Sequence, residues 1–497
     1  MSGAYPTEVS YPATYQGRLA PAHMAAACAL NGVAAPPIDR RYAWCELGSG
    51  TGFTANLLAA ANPFAEFHAI DFNPRHAEAG AALALVGALP NVRHHALDFA
   101  AAMTADLPDF DFVVLHGVWT WVDDGARRAI VAFLANRLRP GGLVQVSYSA
   151  RPGLDAVAAL RAMLGEAGLA DDLDAAKAFA GRLAAAAPEM LRRSPALADY
   201  LRAFARMPDA SARHDFLAPD WSALHHREVR RAMAAAGLVF AGDADLPMNR
   251  PDLALEADAA AIVDGLDGAA AEAAKDLVTQ RTLRRDIYRR PARADGRSPF
   301  AELRVTLAVP PDAAVAAALP AGRHGAMPAL LLAVTERLDH AAPVACDLVA
   351  ALAADGFDRA HVQEQLATLL AAGTIIPAVS APRTGLLAEW PRLAPFNRAA
   401  LDHAVEPDDA RVLASPVTGG GIVLDRSTGY LVWAVATAEP AGAARMLAAR
   451  LAAEGRTLTI AGRTIADAAG LAGVLSPQLD RFAAEQLPRL VALGVVA

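Results

Sequence analysis

Cysteine is nearly absent: three of 497 residues, Cys28, Cys45 and Cys346. They are too few and too scattered for a disulfide framework or a zinc-ligand spacing. A reducing cytoplasm is the expected compartment, and no metal motif is present. Long apolar runs are also missing. No stretch of about 18 residues is free of charge and helix breakers, which excludes a spanning helix. Residues 24–35 have the apolarity of a signal-peptide core, but no basic segment leads into them and a nucleotide-fold strand follows. They are expected to pack as a helix. An excess of positive charge is lacking as well. The net charge is −8, so whole-protein affinity for nucleic acid or anionic membrane is not expected.

What is present is a globular composition, 54% hydrophobic and 20% charged, which excludes a disordered chain. Much of the apolar share is alanine, which favours helices but buries little area per residue. A chain of 497 residues exceeds one core and suggests about three domains.

Up to residue 150, short β-rich runs alternate with helical runs, the pattern of a parallel sheet with crossover helices. Strands are expected at 41–47, 66–71, 92–97, 110–116 and 143–148. Helices are expected at 53–61, at 73–86 with Asn73 as N-cap and Pro74 first, and at 123–138, ended by Pro140-Gly141-Gly142. Residues 151–212 read as a helical insertion broken at Pro188 and Pro195. A helix at 227–236 and a strand at 238–244 then return to the sheet. The expected fold is α/β: a doubly wound, Rossmann-like sheet over 1–250 with that insertion. An α+β middle domain (251–385) and a C-terminal domain (386–497) should follow, both winged-helix-like. Within them, 253–288 reads as helical and 300–310 as a strand. The order helix (347–354), turn (Asp355-Gly356), helix (359–372) and strand (374–379) gives the winged-helix pattern. Residues 381–395 read as a linker, and 441–454 and 477–493 as helices.

Strand one runs into Glu46-Leu-Gly48-Ser49-Gly50-Thr-Gly52, and a helix follows at once. Glycines here let the chain turn sharply and let a ligand approach the backbone. Asp71 follows Gly52 by 19 residues, at the end of strand two, where an acid reaches both hydroxyls of a ribose. The dinucleotide fingerprint fails on spacing, because its third glycine falls on the large Phe53. No Gly-Lys-Ser/Thr follows, which excludes a P-loop. Glu46 would repel a pyrophosphate, but it suits a ligand carrying an ammonium and a sulfonium. With Asp98 after strand three, placed to accept from an adenine amino group, the pattern implies S-adenosylmethionine as cofactor. Phe72 and Phe99 flank these acids. The expected cofactor set is therefore Glu46, Gly48, Ser49, Gly50, Gly52, Asp71, Phe72, Asp98 and Phe99.

Here the chain resembles bacterial class I methyltransferases that carry a methyltransferase regulatory domain. The resemblance lies in Cys45-Glu-Leu-Gly-Ser-Gly-Thr-Gly52, Ala69-Ile-Asp-Phe-Asn-Pro74, Leu115-His-Gly-Val-Trp-Thr-Trp-Val122 and Val146-Ser-Tyr-Ser-Ala-Arg-Pro-Gly153. Beyond the catalytic segment, Arg213-His-Asp-Phe-Leu217 and Thr279-Gln-Arg-Thr-Leu-Arg-Arg-Asp-Ile-Tyr288 resemble further family segments. The best-known relatives are rickettsial lysine methyltransferases that modify outer-membrane protein. The resemblance thus implies a protein substrate methylated on lysine amines. Two alternatives stay open. One is a small-molecule N- or O-methyltransferase with the insertion as lid; the other is a cofactor-binding regulatory protein without catalysis. The C-terminal half is left to recruit substrate, regulate or form a homodimer.

Methyl transfer needs alignment more than acid–base power. His116 ends strand four, where ligands of such sheets sit. It is expected to line the methyl group or take a proton; otherwise it is a loop histidine held by backbone. Tyr148 is a second catalytic candidate. Trp119, Trp121 and Tyr15 are candidates for the acceptor channel, against simple packing of the two tryptophans. Asp123 reads as a helix N-cap. His94 and His95 alternate across a strand and cannot easily share a site; with His225 and His226 they read as structural. Strand four ends in Leu-His-Gly-Val, not in an Asn/Asp-Pro-Pro cluster, so adenine-N6 and glutamine-N5 methylation are not expected. Residues 275–297 carry eight basic side chains (Lys275, Arg281, Arg284, Arg285, Arg289, Arg290, Arg293, Arg297) and three acids (Asp276, Asp286, Asp295), a net +5. They grip an acidic protein substrate, or nucleic acid if the downstream module is a true winged helix, or else form an exposed helix end with interdomain salt bridges.

Overall fold

The computed structural model describes residues 13–169, 172–207, 212, 220–293, 296, 298–308, 310–312, 314, 328–339, 341–382, 392–403, 405, 410–460 and 463–496. Its centre is a seven-stranded sheet of order β3-β2-β1-β4-β5-β7-β6. The strands are β1 (Ala43–Leu47), β2 (Glu66–Asp71), β3 (Val92–Ala96), β4 (Phe110–Leu115), β5 (Leu138–Ser149), β6 (Val239–Asp243) and β7 (Leu283–Arg289). The first five pair in parallel, while β7 runs antiparallel between β5 and β6. β1 is buried along its whole length and β4 almost so, as expected for strands covered by helices on both faces.

α1 (Pro21–Leu30) precedes the first strand, and the crossover helices are α2 (Phe53–Ala61), α3 (Pro74–Val86), α4 (Phe99–Thr104) and α5 (Asp124–Arg137). Local chemistry starts them where the sequence indicates. Asn73 accepts from the Arg75 amide with Pro74 next in line, and Asp123 accepts from the Ala126 amide; both satisfy amides that the first turn leaves open.

Two expectations in this region need correction. The helix before β5 stops at Arg137, and the strand itself passes through Pro140-Gly141-Gly142. Residues 283–289 are not helical but form β7, so the sheet is completed by a segment beyond residue 250. Helices do fill 251–254, 257–264 and 268–279 before it.

One sheet face packs on α5 and the helix His226–Ala235 through Phe110, Phe133, Val146, Met233 and Tyr288. The other face shares a continuous core with the C-terminal module: Trp44, Leu57 and Phe67 join Phe396, Leu413, Val432 and Phe482. The insertion is helical, with breaks before Pro188 and Pro195, and has its own small core around Val157, Leu160 and Phe204.

The middle module follows the expected helix (Ala345–Ala354), helix (Arg359–Ala371) and short strand (Ile375–Pro377). That strand pairs antiparallel with Val305–Leu307, a much shorter strand than the expected 300–310. The C-terminal module adds a hairpin (Arg411–Ser415 with Gly420–Leu424) and a helix (Arg426–Thr437) that the sequence reading lacked. Pro477 lies inside the helix Ala468–Glu485 and does not begin one. Most of the expected linker lies outside the described residues. Among the described residues no helix is long and apolar enough to cross a membrane.

Candidate active site

The strand order reverses between β1 and β4, which opens a crevice at their carboxyl ends. The glycine loop lines one side. Gly48 and Gly52 hold φ of +76° and +69°, a left-handed backbone that other residues adopt at a cost. Space forbids side chains there too. A Cβ on Gly48 would lie 2.3 Å from Val118 Cγ2, and one on Gly52 would lie 2.4 Å from the His94 ring. Gly48 N and Ser49 N both donate to the Ile70 carbonyl, at 2.8 and 3.1 Å, which ties the loop to the end of β2.

Asp71 completes this side. Its Oδ2 accepts from Gly50 N at 2.8 Å, and its Oδ1 from Asn73 N at 2.9 Å and His76 Nδ1 at 3.2 Å. These bonds leave acceptor capacity on both oxygens. Glu46 is buried, and its Oε2 has no partner among the described residues. Burial, with the negative charge of Asp71 adding to it, pushes the Glu46 carboxyl up to about 8. A buried acid next to another acid, with an oxygen unanswered, is a place for a cation.

Asp98 caps α4 through the Ala101 amide at 2.7 Å; Phe72 and Phe99 are half-buried beside these acids. On the far side, His116 ends β4. It is half-buried and has no hydrogen-bond partner among the described residues. Burial, reinforced by the nearby charges of Arg285 and Arg18, brings it down to about 4, so the ring is neutral at pH 7.

Residues 13–20 cross this crevice as a strap. Gln16 N donates to Thr54 Oγ1 at 3.1 Å, and Thr54 Oγ1 donates to the Thr14 carbonyl at 3.1 Å, beside the glycine loop. Trp44 Nε1 donates to the Leu19 carbonyl at 3.2 Å. Arg18 Nε reaches Asp245 at 2.7 Å, on the His116 side.

Three expected site residues are committed to packing or to bonds with other parts of the chain. Tyr148 is not exposed to a ligand: it is buried and donates to Asp286 Oδ2 at 2.6 Å. Tyr15 accepts from Gly421 N of the C-terminal hairpin at 2.6 Å, and burial raises its hydroxyl to about 12. Trp119 is buried against the β4–β5 core, which favours the packing reading; Trp121 is half-buried.

His94 Nε2 meets Asn56 Oδ1 at 3.0 Å, while His95 stacks on His68, their ring nitrogens 3.0 Å apart. His226 is buried, with Nδ1 on Asp286 Oδ2 at 2.8 Å.

The basic run is corrected as well. It is no exposed helix end: Lys275, Arg281 and Arg284 are buried and paired. Arg290 donates to the carbonyls of Leu134 and Ala135. Asp295, Arg297 and the segment 213–217 lie outside the described residues. Arg284 is fully buried, with Asp276 at 2.6 Å, Glu272 at 2.6 Å and Asp286 at 2.7 Å. Asp286 also accepts from Tyr288 at 3.0 Å, and these contacts hold its carboxyl far below the usual range despite burial. Sequence reasoning also missed Arg18 and Asp245, and it had Arg285 only as one of the basic run; the signal available was Asp243-Ala-Asp245 at the end of a strand feeding the sheet edge. Among the described residues no group of three His, Cys, Asp or Glu is placed to hold a metal ion.

Fold and loop define the class: the chain carries a class I, S-adenosylmethionine-dependent methyltransferase domain. Residues 45–144 match the family described as a methyltransferase domain. Residues 209–290 match a "Predicted methyltransferase regulatory domain". The chain is similar over its whole length to an uncharacterized protein of Synechocystis sp. (strain PCC 6803), 26% identical over 503 residues and covering 99% of each. Its fold is that of PKMT2 from Rickettsia typhi, with 16% identity, TM-score 0.70, and coverage of 97% of this chain and 99% of that one. The complex of that protein with AdoHcy matches at TM-score 0.72 and 15% identity, over 98% of this chain and 99% of that one.

Proposed function

We propose that the chain transfers methyl groups to lysine amines of a protein substrate. The observation that carries this reading is the neutral His116, set beside two arginines at the crevice edge. Lysine must lose its proton before it can attack, at a cost of about 5 kcal/mol at pH 7 from its reference pKa. The burial that keeps His116 uncharged, with the positive charges of Arg285 and Arg18 adding to it, disfavours an ammonium in the same place. His116 is too weak a base to remove that proton itself; as a neutral ring it orients the amine by a hydrogen bond, and the proton leaves to solvent. The whole-chain likeness to PKMT2 supports a protein acceptor of this kind.

S-adenosylmethionine supplies an electrophilic methyl group on a sulfonium. The residues present fit it: the glycine loop has no room for side chains at Gly48 and Gly52, and Glu46 has an oxygen unanswered. Glu46 would take its ammonium, Asp71 its ribose hydroxyls and Asp98 its adenine amino group, with Phe72 and Phe99 beside the ring. Trp121 would border the acceptor.

Radiolabelled methyl transfer onto host protein, compared with extracted metabolites, tests the reading. Label recovered as methyl-lysine after acid hydrolysis supports it; label confined to small molecules refutes it.

A further inference from the structure

The strap and β7 bring to the crevice a pair of guanidiniums whose hydrogen-bonding capacity the reading above does not use. Asp245 pairs with Arg18 Nε at 2.7 Å, and it accepts from Arg281 Nη2 at 3.0 Å and Arg285 Nη1 at 3.0 Å. Arg281 is also held by buried Asp243 and is committed to it. Arg18 and Arg285 are different. Each touches Asp245 through one nitrogen, and their remaining N–H groups meet no partner among the described residues. Side-chain exposures of 49% for Arg18 and 19% for Arg285 leave both within reach of a ligand. Their shared carboxylate fixes where they stand, so little freedom is lost when an anion joins them. His116, neutral and without a partner, adds a donor beside them.

We propose that Arg18, Arg285 and His116 form a carboxylate-binding subsite at the His116 end of the crevice. A guanidinium presents paired donors that match a carboxylate. Glu46 lies across the crevice, so the two ends carry opposite preferences, a cation at Glu46 and an anion at Arg18. That polarity fits the amino-acid tail of the methyl donor. It also fits a lysine acceptor with an acidic neighbour. The chemistry is the same for both sources. The inference rests on the methyltransferase reading.

The test uses the full chain, with Arg18→Gln, Arg285→Gln and Arg18→Lys. In the first arm, calorimetry compares S-adenosylmethionine with its decarboxylated analogue. If the donor's carboxylate is the ligand, the wild type prefers S-adenosylmethionine by at least about tenfold. Either glutamine variant abolishes that preference without weakening the analogue, and Arg18→Lys restores part of it. In the second arm, at saturating donor, transfer is measured to lysine peptides with glutamate or glutamine beside the lysine. If the acceptor's carboxylate is the ligand, the wild type favours the glutamate peptide through KM, and the variants lose that bias. Unchanged discrimination in both arms overturns the inference, as does unchanged donor discrimination with neither peptide methylated. A wild type that binds neither donor form refutes the methyltransferase reading itself, a separate failure. Should Arg285→Gln fail to fold, the half-exposed Arg18 carries the test alone.

Discussion

Two groups of charge lie on the same sheet and are treated in opposite ways. Around β7, Asp286 collects Arg284, His226, Tyr148 and Tyr288, while Arg284 also holds Glu272 and Asp276. There the charges answer one another. At the carboxyl ends of β1 and β4, Glu46 keeps an oxygen without a partner, His116 has none, and two arginines use one nitrogen each. Both groups are costly to bury. The first meets that cost within the chain and ties β5, β7 and the helices His226–Ala235 and Gly268–Thr279 together. The second is left to be completed by something else.

The sharpest way to break the comparison is at β7. Asp286→Ala leaves Arg284 buried with part of its pairing gone and should lower unfolding free energy by about 3–5 kcal/mol. Urea denaturation measures this, and donor affinity of the folded fraction should stay within about twofold. Next comes Asp71→Ala, which on the proposed cofactor placement removes two charged hydrogen bonds to the ribose. It should weaken binding about 100-fold in calorimetry; unchanged affinity would falsify the cofactor assignment.

Glu46 should act through pH. Its folded value of about 8 lies above its ordinary range, so between about 4.5 and 8 the folded state holds more protons than the unfolded one, and stability falls as pH rises. His116, brought down to about 4, works in the opposite sense below its usual 6.5. The window that isolates Glu46 is therefore pH 6.5 to 8. There the ligand-free protein should lose up to about 1.4 kcal/mol per pH unit. Glu46→Gln should flatten that slope and weaken donor binding about tenfold. Smallest in thermodynamic terms is His116→Ala: kcat should fall about tenfold, with donor Kd within about twofold and melting temperature little changed. Equal loss in kcat and Kd would return His116 to a packing role.

The same contrast explains what the sequence made legible. The parallel half follows the ordinary pattern of apolar strands and capped helices, so β1 to β4, α2 and α3 are readable nearly to the residue. β7 is not, because its buried face is polar. Arg284, Asp286 and Tyr288 point into the protein, and the alternation that marks a strand is disguised by charges that only a folded partner explains. Tyr148 looked like a site residue for the same reason: a tyrosine at the end of a central strand gives no sign that an acid 138 residues later accepts its hydrogen bond. The glycine loop was readable because it depends on neighbours in sequence. The arginine pair was not, since Arg18 and Arg285 meet only through Asp245. The C-terminal hairpin was missed where Gly419, Gly420 and Gly421 obscured two short strands.

The bond from Gly421 to Tyr15 also orders events in time. A ribosome makes residues 13–20 first and the hairpin that receives Tyr15 some four hundred residues later. Until Gly421 has emerged, the segment that crosses the crevice lacks one of its anchors. A nascent chain can therefore assemble its sheet while the roof of its site is still incomplete, and the roof is finished only once the hairpin has been made.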